Sequence, residues 1–344
     1  MRETPAREAL RSMGLLREAD GRQWLELRTS GTTDSPRTVV RSLASWEDSF
    51  DHVTRLTGIT AGDRVLVPAP PGGSMFAFAL AHAAHLGADV VALPRWSMRE
   101  AELALAECTV AHLTPSMLTA LLERDLGRLR TVVCAGSGLP AVDRGRAEGA
   151  GLGLVDYYGA AELSFVAVRT DGVLAPFPEV EVDVRDGVIW ARSPWLCEGY
   201  ADGRTGPLER DDEGWATVGD RGRLDDDGGL VVVGRDDSVT TGGATVVCAD
   251  VEAQVRSCAG VTDAVVIGTP HPDLGELLEV VVVAPDPVDL TVVRADVAAR
   301  LSPSHLPRRW HHWPELPLTP AGKVDRREVR CRLVEARAGA ETTP

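Results

Sequence analysis

Residues 64–93 read RVLVPAPPGGSMFAFALAHAAHLGADVVAL. Arg64 opens a short apolar run that stops at Pro68, and residues 70–73 are Pro-Pro-Gly-Gly, a turn by composition. Residues 74–86 are then almost wholly apolar, too long for one strand, and bounded by Gly73 and Gly87, which predicts a buried helix. Residues 89–93 return to a short apolar run. Strands that are apolar on both faces, joined through a helix, point to a parallel sheet covered on both sides. His82, His85, Gly87 and Asp89 interrupt the apolar tract 75–93, so it does not read as a membrane span.

The same alternation extends outward from this unit. Residues 98–107, 115–124 and 141–148 read as helices, and 110–113, 131–134 and 153–157 as strands. Upstream, 24–27 and 39–40 read as strands around a polar loop, followed by a helix over 45–56. Residues 174–233 change to short β segments separated by Gly and Asp turns, among them 181–184, 188–192 and 230–233. Beyond Gly234-Arg-Asp-Asp237 the pattern is α+β: helices at 250–258 and 290–301, strands at 264–268 and 278–284. The expected fold is therefore α/β, with a large N-terminal domain (1–234) holding a mainly parallel, α-flanked sheet plus a β-rich subdomain. A small mobile α+β C-terminal domain (235–344) follows a hinge at 235–237, and its tail is expected to fray after Glu335. In such sheets ligands bind at the carboxyl ends of the strands.

The net charge is −15, from 36 basic and 51 acidic residues. A field of that sign repels nucleic acid and anionic membranes, so any bound phosphate must be held by local geometry. Cys108, Cys134, Cys197, Cys248, Cys258 and Cys331 form no C-x-x-C pair and have no histidine at zinc spacing; they read as reduced core residues of a cytoplasmic protein. Residues 1–19 carry four arginines and no continuous apolar segment, which argues against a secretory signal. Of the 36 basic residues only one is lysine, Lys323, in the Pro- and Gly-bearing stretch Pro317-Leu-Thr-Pro-Ala-Gly-Lys-Val-Asp-Arg326. A compact ammonium on a flexible stem is retained where every other basic site has become a guanidinium, a first sign of chemistry.

Thr29-Ser-Gly-Thr-Thr33 places four hydroxyls and a glycine between two strands, where hydroxyl and backbone N–H groups can wrap a polyphosphate. The Walker A spacing is absent, and Gly136-Ser137-Gly138 is too common to indicate dinucleotide binding. Taken singly, this loop is a surface turn and Lys323 a surface lysine. Their order with three further blocks changes the reading: Asp156-Tyr-Tyr-Gly-Ala-Ala-Glu162, Gly214-Trp-Ala-Thr-Val-Gly-Asp220, and Gly234-Arg235 with Thr241-Gly-Gly243 and Val251-Glu252. The chain resembles the adenylate-forming superfamily of acyl-CoA synthetases, adenylation domains and luciferases over about residues 24–330. Ser30 to Arg37 stands for that superfamily's S-G-[ST]-T-G-x-P-K, Tyr158 to Glu162 for Y-G-x-T-E, Val218 to Asp220 for T-G-D, and Pro317 to Arg326 for P-x-T-x-x-G-K-x-x-R.

The resemblance implies ATP- and Mg²⁺-dependent joining of a small carboxylic acid to AMP, then transfer to the thiol of CoA. It implies that Thr29, Ser30, Gly31, Thr32 and Thr33 hold phosphates, with Thr33, Glu162 and Lys323 as the catalytic set and Glu162 as the metal ligand. Tyr158 would stack on adenine and Asp156 accept from its amine, with Gly136, Ser137, Gly138, Tyr157, Gly159 and Ala160 around the nucleotide. Asp220 would accept from the ribose hydroxyls beside Arg235, and Lys323 would bridge the acid and the α-phosphate. Asp236 or Asp237 would be the pivot between half-reactions, and the 241–247 hairpin would line the pantetheine tunnel. The acyl group would lie among Gly72, Gly73, Phe76, Ser137, Gly138, Tyr157 and residues 164–166. Departures are Asp34 for glycine, Arg37 for lysine, Ala161 for threonine, and only 28 residues before Thr29. The short lead leaves one flank of the sheet to be covered, for which a homodimer is the expected solution. Three alternatives remain at this point: transfer to an acyl carrier protein's phosphopantetheine, activation of an unusual small oxyanion, and a catalytically weak homologue with a binding or scaffold role, against which the retained Lys323 argues.

Overall fold

The helix Ser74–Leu86 lies at the centre of the large unit, with Phe76, Ala77, Phe78, Ala79, Ala81, His82 and Ala83 all buried. It ends at Gly87, whose φ of 70° is left-handed and whose N–H reaches the carbonyls of Ala83 and Ala84. The computed structural model describes residues 4–28, 37–71, 73–170, 172–203, 206–234, 238–241, 244–271, 275–284, 288–301, 305–320 and 322–341. On either side of the helix in sequence, Arg64–Val67 and Asp89–Ala92 pair in parallel, Arg64 opposite Asp89.

Seven strands form the main sheet in the order Val173–Pro176, Ser164–Thr170, Gly153–Ala160, Thr131–Cys134, Val110–Leu113, Arg64–Val67, Asp89–Ala92. The five strands from Gly153–Ala160 to Asp89–Ala92 are parallel, and the first two in that order are antiparallel additions. All residues of Val110–Leu113 and Thr131–Cys134 are buried, which explains why His112 and Thr131 are their only polar members. One core contains Leu66, Leu105, Leu113, Met117 and Leu118; the other contains Trp46, Phe50, Phe78, Phe165, Phe177 and Trp195. His82 and His112 are buried, and desolvation lowers their pKa values to about 4 and about 3, so both are neutral at pH 7.

The helix expected over 45–56 is two helices, Ala44–Glu47 and Phe50–Thr57. Ser49, buried at the break, donates its hydroxyl to the Trp46 carbonyl at 2.8 Å, offering the backbone a local alternative to the helical ladder. Pro5–Ser12 is a helix capped by the Thr4 side chain, with Ala6 and Leu10 buried, and it packs on Ser74–Leu86. Strands Leu16–Ala19, Arg22–Arg28, Thr38–Ser42 and Gly199–Tyr200 make a second sheet. The β-rich region centres on Val188–Arg192, which pairs with Glu181–Arg185, Ala216–Thr217 and Arg221–Leu224.

By contacts the chain divides into one unit of Met1–Val232 with Pro320–Lys323 and another of Val233–Thr319 with Val324–Pro344. The smaller unit is a five-stranded sheet around Asp263–His271 and Gly275–Val283, with Arg309–Trp313 added in parallel. Ala264 and Val266 face one apolar cluster with Val251 and Val255 of the helix Cys248–Arg256, while Val265 and Ile267 face Val329 and Leu333 of Arg326–Glu341. Helices on both faces account for the unbroken apolar run Ala264-Val-Val-Ile267 within the strand Asp263–His271. Two expectations are corrected here. The tail is helical to Glu341 rather than frayed after Glu335, because Val329 and Leu333, one turn apart, anchor that helix. Cys331 is exposed on the same helix, although the other five cysteines are buried and all six are free. Among the described residues no helix is long and apolar enough to cross a membrane.

Candidate active site

The strand Gly153–Ala160 carries Asp156 to Ala160, and the chain then reverses into Ser164–Thr170. Two backbone features make so tight a reversal possible. Ser164 has a φ of 63°, and a Cβ on Gly159 would collide with the Ser164 carbonyl oxygen, so only glycine fits there. Glu162 sits at the tip, 4% exposed, and its Oε1 accepts from the Tyr200 hydroxyl at 2.9 Å. Its backbone is held as well: the Cys197 N–H donates to the Glu162 carbonyl at 2.8 Å. Among the described residues the other carboxylate oxygen of Glu162 takes no protein hydrogen bond. Burial and the Glu162 charge push the Tyr200 phenol up, so it stays a donor.

Arg41, on the strand Thr38–Ser42, is fully buried behind this turn. It donates to Ser45 Oγ at 2.9 Å, to the Ala161 carbonyl at 3.1 Å and to the Trp195 carbonyl. Desolvation lowers its pKa to about 10, against the pull of Cys197 and Glu162, so it is a cation at neutral pH.

Tyr158 donates its hydroxyl to Asp220 Oδ2 at 2.7 Å, which brings together the residues assigned to adenine and to ribose. Tyr157 points into the aromatic core, its ring centroid 4.7 Å from that of Phe165, and burial raises its pKa. Asp156 is 6% exposed, and its Oδ2 accepts from Arg144 at 2.9 Å and Arg169 at 3.0 Å. Any amine reaching Asp156 therefore meets a carboxylate already bridged by two guanidinium groups.

Gly136, Ser137 and Gly138 are exposed at the carboxyl end of Thr131–Cys134. Gly136 has a φ of 103°, and a Cβ built on it would fall 2.9 Å from Lys323 Cε and 3.6 Å from Nζ. The sole lysine thus lies against a glycine of the loop that sequence reading assigned to the nucleotide. Just before it, the Gly322 carbonyl accepts from Thr114 Oγ1 at 2.8 Å. Thr29, Ser30, Gly31, Thr32, Thr33 and Asp34 lie outside the described residues, as do Gly72, Arg235, Asp236, Asp237, Gly242 and Gly243. The strands flanking the first of these loops are described, and they close it through the antiparallel pair Arg28 and Thr38.

Arg41, Tyr200, Arg144, Arg169 and Thr114 were missed by sequence reasoning. The hairpin register could have found Arg169, which follows the Tyr157–Val168 pair and so lies across from Asp156. The Thr114-Pro115 step is a readable helix start, and Thr114 does cap Pro115–Leu121. Nothing local marks the other three.

Asp156 and Tyr158 lie on Gly153–Ala160 and Glu162 on the turn beyond it, Asp220 is bonded to Tyr158, and Lys323 lies against Gly136 just past the carboxyl end of Thr131–Cys134. The family model for AMP-binding enzymes matches residues 28–201 and that for the AMP-binding enzyme C-terminal domain matches 250–323, so the chain belongs to the AMP-binding enzyme family. It is similar to an uncharacterized acyl-CoA ligase, YhfT, of Bacillus subtilis, 28% identical over 90% of this chain and 68% of that one. It is 32% identical to a probable 2-succinylbenzoate–CoA ligase of Mycobacterium tuberculosis, over 88% of this chain and 82% of the relative. Among solved structures it resembles o-succinylbenzoate CoA synthetase of Bacillus subtilis in complex with its acyl-adenylate intermediate, with a TM-score of 0.74, 25% identity, and 89% and 68% of the two chains covered. ATP-bound MatB from Rhodopseudomonas palustris shares the fold, with a TM-score of 0.78 at 24% identity over 89% of this chain and 67% of its own.

Proposed function

We propose that this chain is an ATP-dependent acid–CoA ligase. The acid's carboxylate oxygen attacks the α-phosphorus of ATP and pyrophosphate leaves. The thiol sulfur of CoA then attacks the acyl carbon, AMP leaves, and the thiol proton is released. The observation that carries this reading is the position of the only lysine, its stem against Gly136, in the unit that also holds Glu162 and the Tyr158–Asp220 pair. Membership of the AMP-binding enzyme family and the acyl-CoA ligases among its relatives support it.

Tyr158 presents a ring to adenine while its hydroxyl orients Asp220 toward the ribose. Lys323 supplies a point charge to the α-phosphate as negative charge builds there. Glu162 fits a magnesium ion: it is a buried carboxylate with one oxygen on a neutral phenol, and Mg²⁺ commonly takes one or two protein carboxylates and fills its shell with phosphate and water. When bound, that ion supplies positive charge to the phosphate oxygens. Arg41 holds the carbonyl next to Glu162 and so keeps the carboxylate in place. The 29–33 loop as the phosphate cradle, residues 235–237 as the hinge and a homodimer belong to the same proposal.

Pyrophosphate release with benzoate, ferulate, 2-succinylbenzoate and octanoate, each with and without CoA, tests it. Acid-dependent release followed by CoA-dependent AMP formation is the expected result. Release that needs a phosphopantetheinylated carrier protein would move the acceptor to that partner. No acid-dependent release with Lys323 intact would favour the binding role.

A further inference from the structure

We infer that Thr114, with Met117, is a built seat for the Gly322–Lys323 turn, and that the Thr114 hydroxyl is a positioning residue for the Lys323 ammonium. The inference rests on the reading of Lys323 as the adenylating lysine and adds the side chains that set where it lies.

Thr114 follows the strand Val110–Leu113 and caps the helix Pro115–Leu121, so it stands at the carboxyl end of a central strand on a fixed backbone. It is 1% exposed. Its hydroxyl oxygen accepts from the Met117 N–H at 3.4 Å while its hydrogen goes to the Gly322 carbonyl at 2.8 Å. A helix cap needs only the acceptor. The donor is spent on a residue 208 positions away in sequence, directly before the lysine. Met117, fully buried, lies so close to Gly322 that a Cβ there would run into its Cε, and Gly322 has a φ of 73°. Gly136 meets the lysine from the other side: a Cβ built on it would fall 3.9 Å from Thr114 Cγ2 and 2.9 Å from Lys323 Cε. Two glycines at which a Cβ would force Met117 or Lys323 to shift, and one hydroxyl bonded to the turn, narrow the path of the lysine stem. All of these residues belong by contacts to the large unit.

The test exploits the fact that Lys323 is the only lysine. An amine-directed acetylating reagent on the intact chain can modify Lys323 and the N-terminal amine, and the second serves as an internal reference by peptide mass analysis. Thr114→Val keeps the shape and loses the donor. It should raise the labelling rate of Lys323 several-fold with the N-terminal amine unchanged, and Thr114→Ser should restore the native rate. With an acid selected by the pyrophosphate panel, Thr114→Val should slow adenylate formation roughly three- to tenfold, the worth of one neutral hydrogen bond, while acyl transfer from supplied acyl-adenylate to CoA stays within about twofold. Should Thr114→Val misfold, Gly322→Ala gives the same readouts from the other side of the contact.

Unchanged Lys323 labelling in both folded variants would overturn the seat. So would an equal loss in both half-reactions with native labelling, since that is what loss of the helix cap alone produces. Lys323→Ala separates this failure from that of the underlying reading: full adenylation without the lysine removes the role assigned to Lys323, whereas an inactive Lys323→Ala beside a native-like Thr114→Val removes only the seat.

Discussion

The two ends of the main sheet use charge in opposite ways. At the amino ends, Asp63 is 6% exposed and receives the Thr60 N–H at 2.9 Å, the Thr109 hydroxyl at 2.7 Å and Arg130 Nη2 at 2.7 Å. Arg64 beside it pairs with Asp89 at 3.1 Å and with Glu107. Every group there is answered by another from the same end of the sheet. At the carboxyl ends, Glu162 has one neutral phenol on one oxygen and Lys323 lies along a glycine. Charges satisfied internally stabilise a fold, and a carboxylate with an oxygen to spare can bind a cation. Asp156, answered by Arg144 and Arg169, is the exception at the carboxyl end; with it set apart, the contrast matches the general placement of ligands in parallel sheets.

The largest expected effect comes from removing the charge assigned to the reacting phosphate. Lys323→Ala should lower acid-dependent ATP–pyrophosphate exchange by roughly 10²-fold or more, about 2.7 kcal/mol of transition-state stabilisation, with thermal stability and nucleotide binding near native. Exchange at the native rate would break the comparison at its carboxyl end.

Next comes the glycine that seats the lysine. Gly136→Ala puts a methyl group 2.9 Å from Lys323 Cε at a φ of 103°, so it should both displace the ammonium and strain the backbone. Adenylation should fall about tenfold or more, and stability by roughly 1 kcal/mol or more from the strained residue. A stability loss with native exchange kinetics would show that the lysine does not use this seat in turnover.

How much of this was legible in the sequence depends on the range of the contacts involved. Gly73 and Gly87 bracket an apolar run, so the helix 74–86 could be read to the residue, as could strands 110–113 and 131–134 between their turns. The helix Pro5–Ser12 was not read, since only Ala6 and Leu10 of its eight residues are buried. The strand Arg309–Trp313 was also missed: it reads Arg-Trp-His-His-Trp and owes its place to Gly275–Val283, far upstream. The site divides in the same manner. Tyr158, Glu162, Asp220 and Lys323 stand in ordered blocks that match a family pattern, and that resemblance singled them out. Arg41 acts on Ala161 and Trp195, 120 and 154 residues away, and Thr114 acts on Gly322; neither belongs to a block, and only the folded chain brings them to their partners.

The amino end supplies the two smaller effects. Burial acts to raise the Asp63 pKa, but hydrogen bonds from Arg130, Thr109 and Thr60 outweigh it and hold the carboxyl at about 2. Its folded-state value is depressed, so the stability it contributes is complete above about pH 4, the unfolded-chain value, and is lost as pH falls through about 2. Asp63→Asn should therefore cost roughly 2 kcal/mol at pH 7, a difference that narrows below pH 4, with exchange kinetics of the folded enzyme unchanged. Denaturant unfolding at pH 7 and pH 3 measures both halves of this expectation. A loss independent of pH would mean that packing, not charge, is what Asp63 contributes.

The smallest effect is expected at Arg64, and it sharpens the comparison by showing that an ion pair alone is not what distinguishes the two ends. Arg64 has 39% of its side chain exposed, and its partners Asp89 and Glu107 have 73% and 52%. Water screens such pairs, and ordering three long side chains offsets most of the attraction, so each is worth at most about 0.5 kcal/mol. A double-mutant cycle on Arg64→Ala and Glu107→Ala should return a coupling energy no larger than that, falling further in added salt, with no change in either half-reaction. If the coupling instead exceeded about 1.5 kcal/mol and persisted at high salt, Arg64 would have to be shielded in solution by something this chain does not supply. The amino end of the sheet would then be a second buried interface rather than a solvated one, which is where a partner subunit would leave its mark.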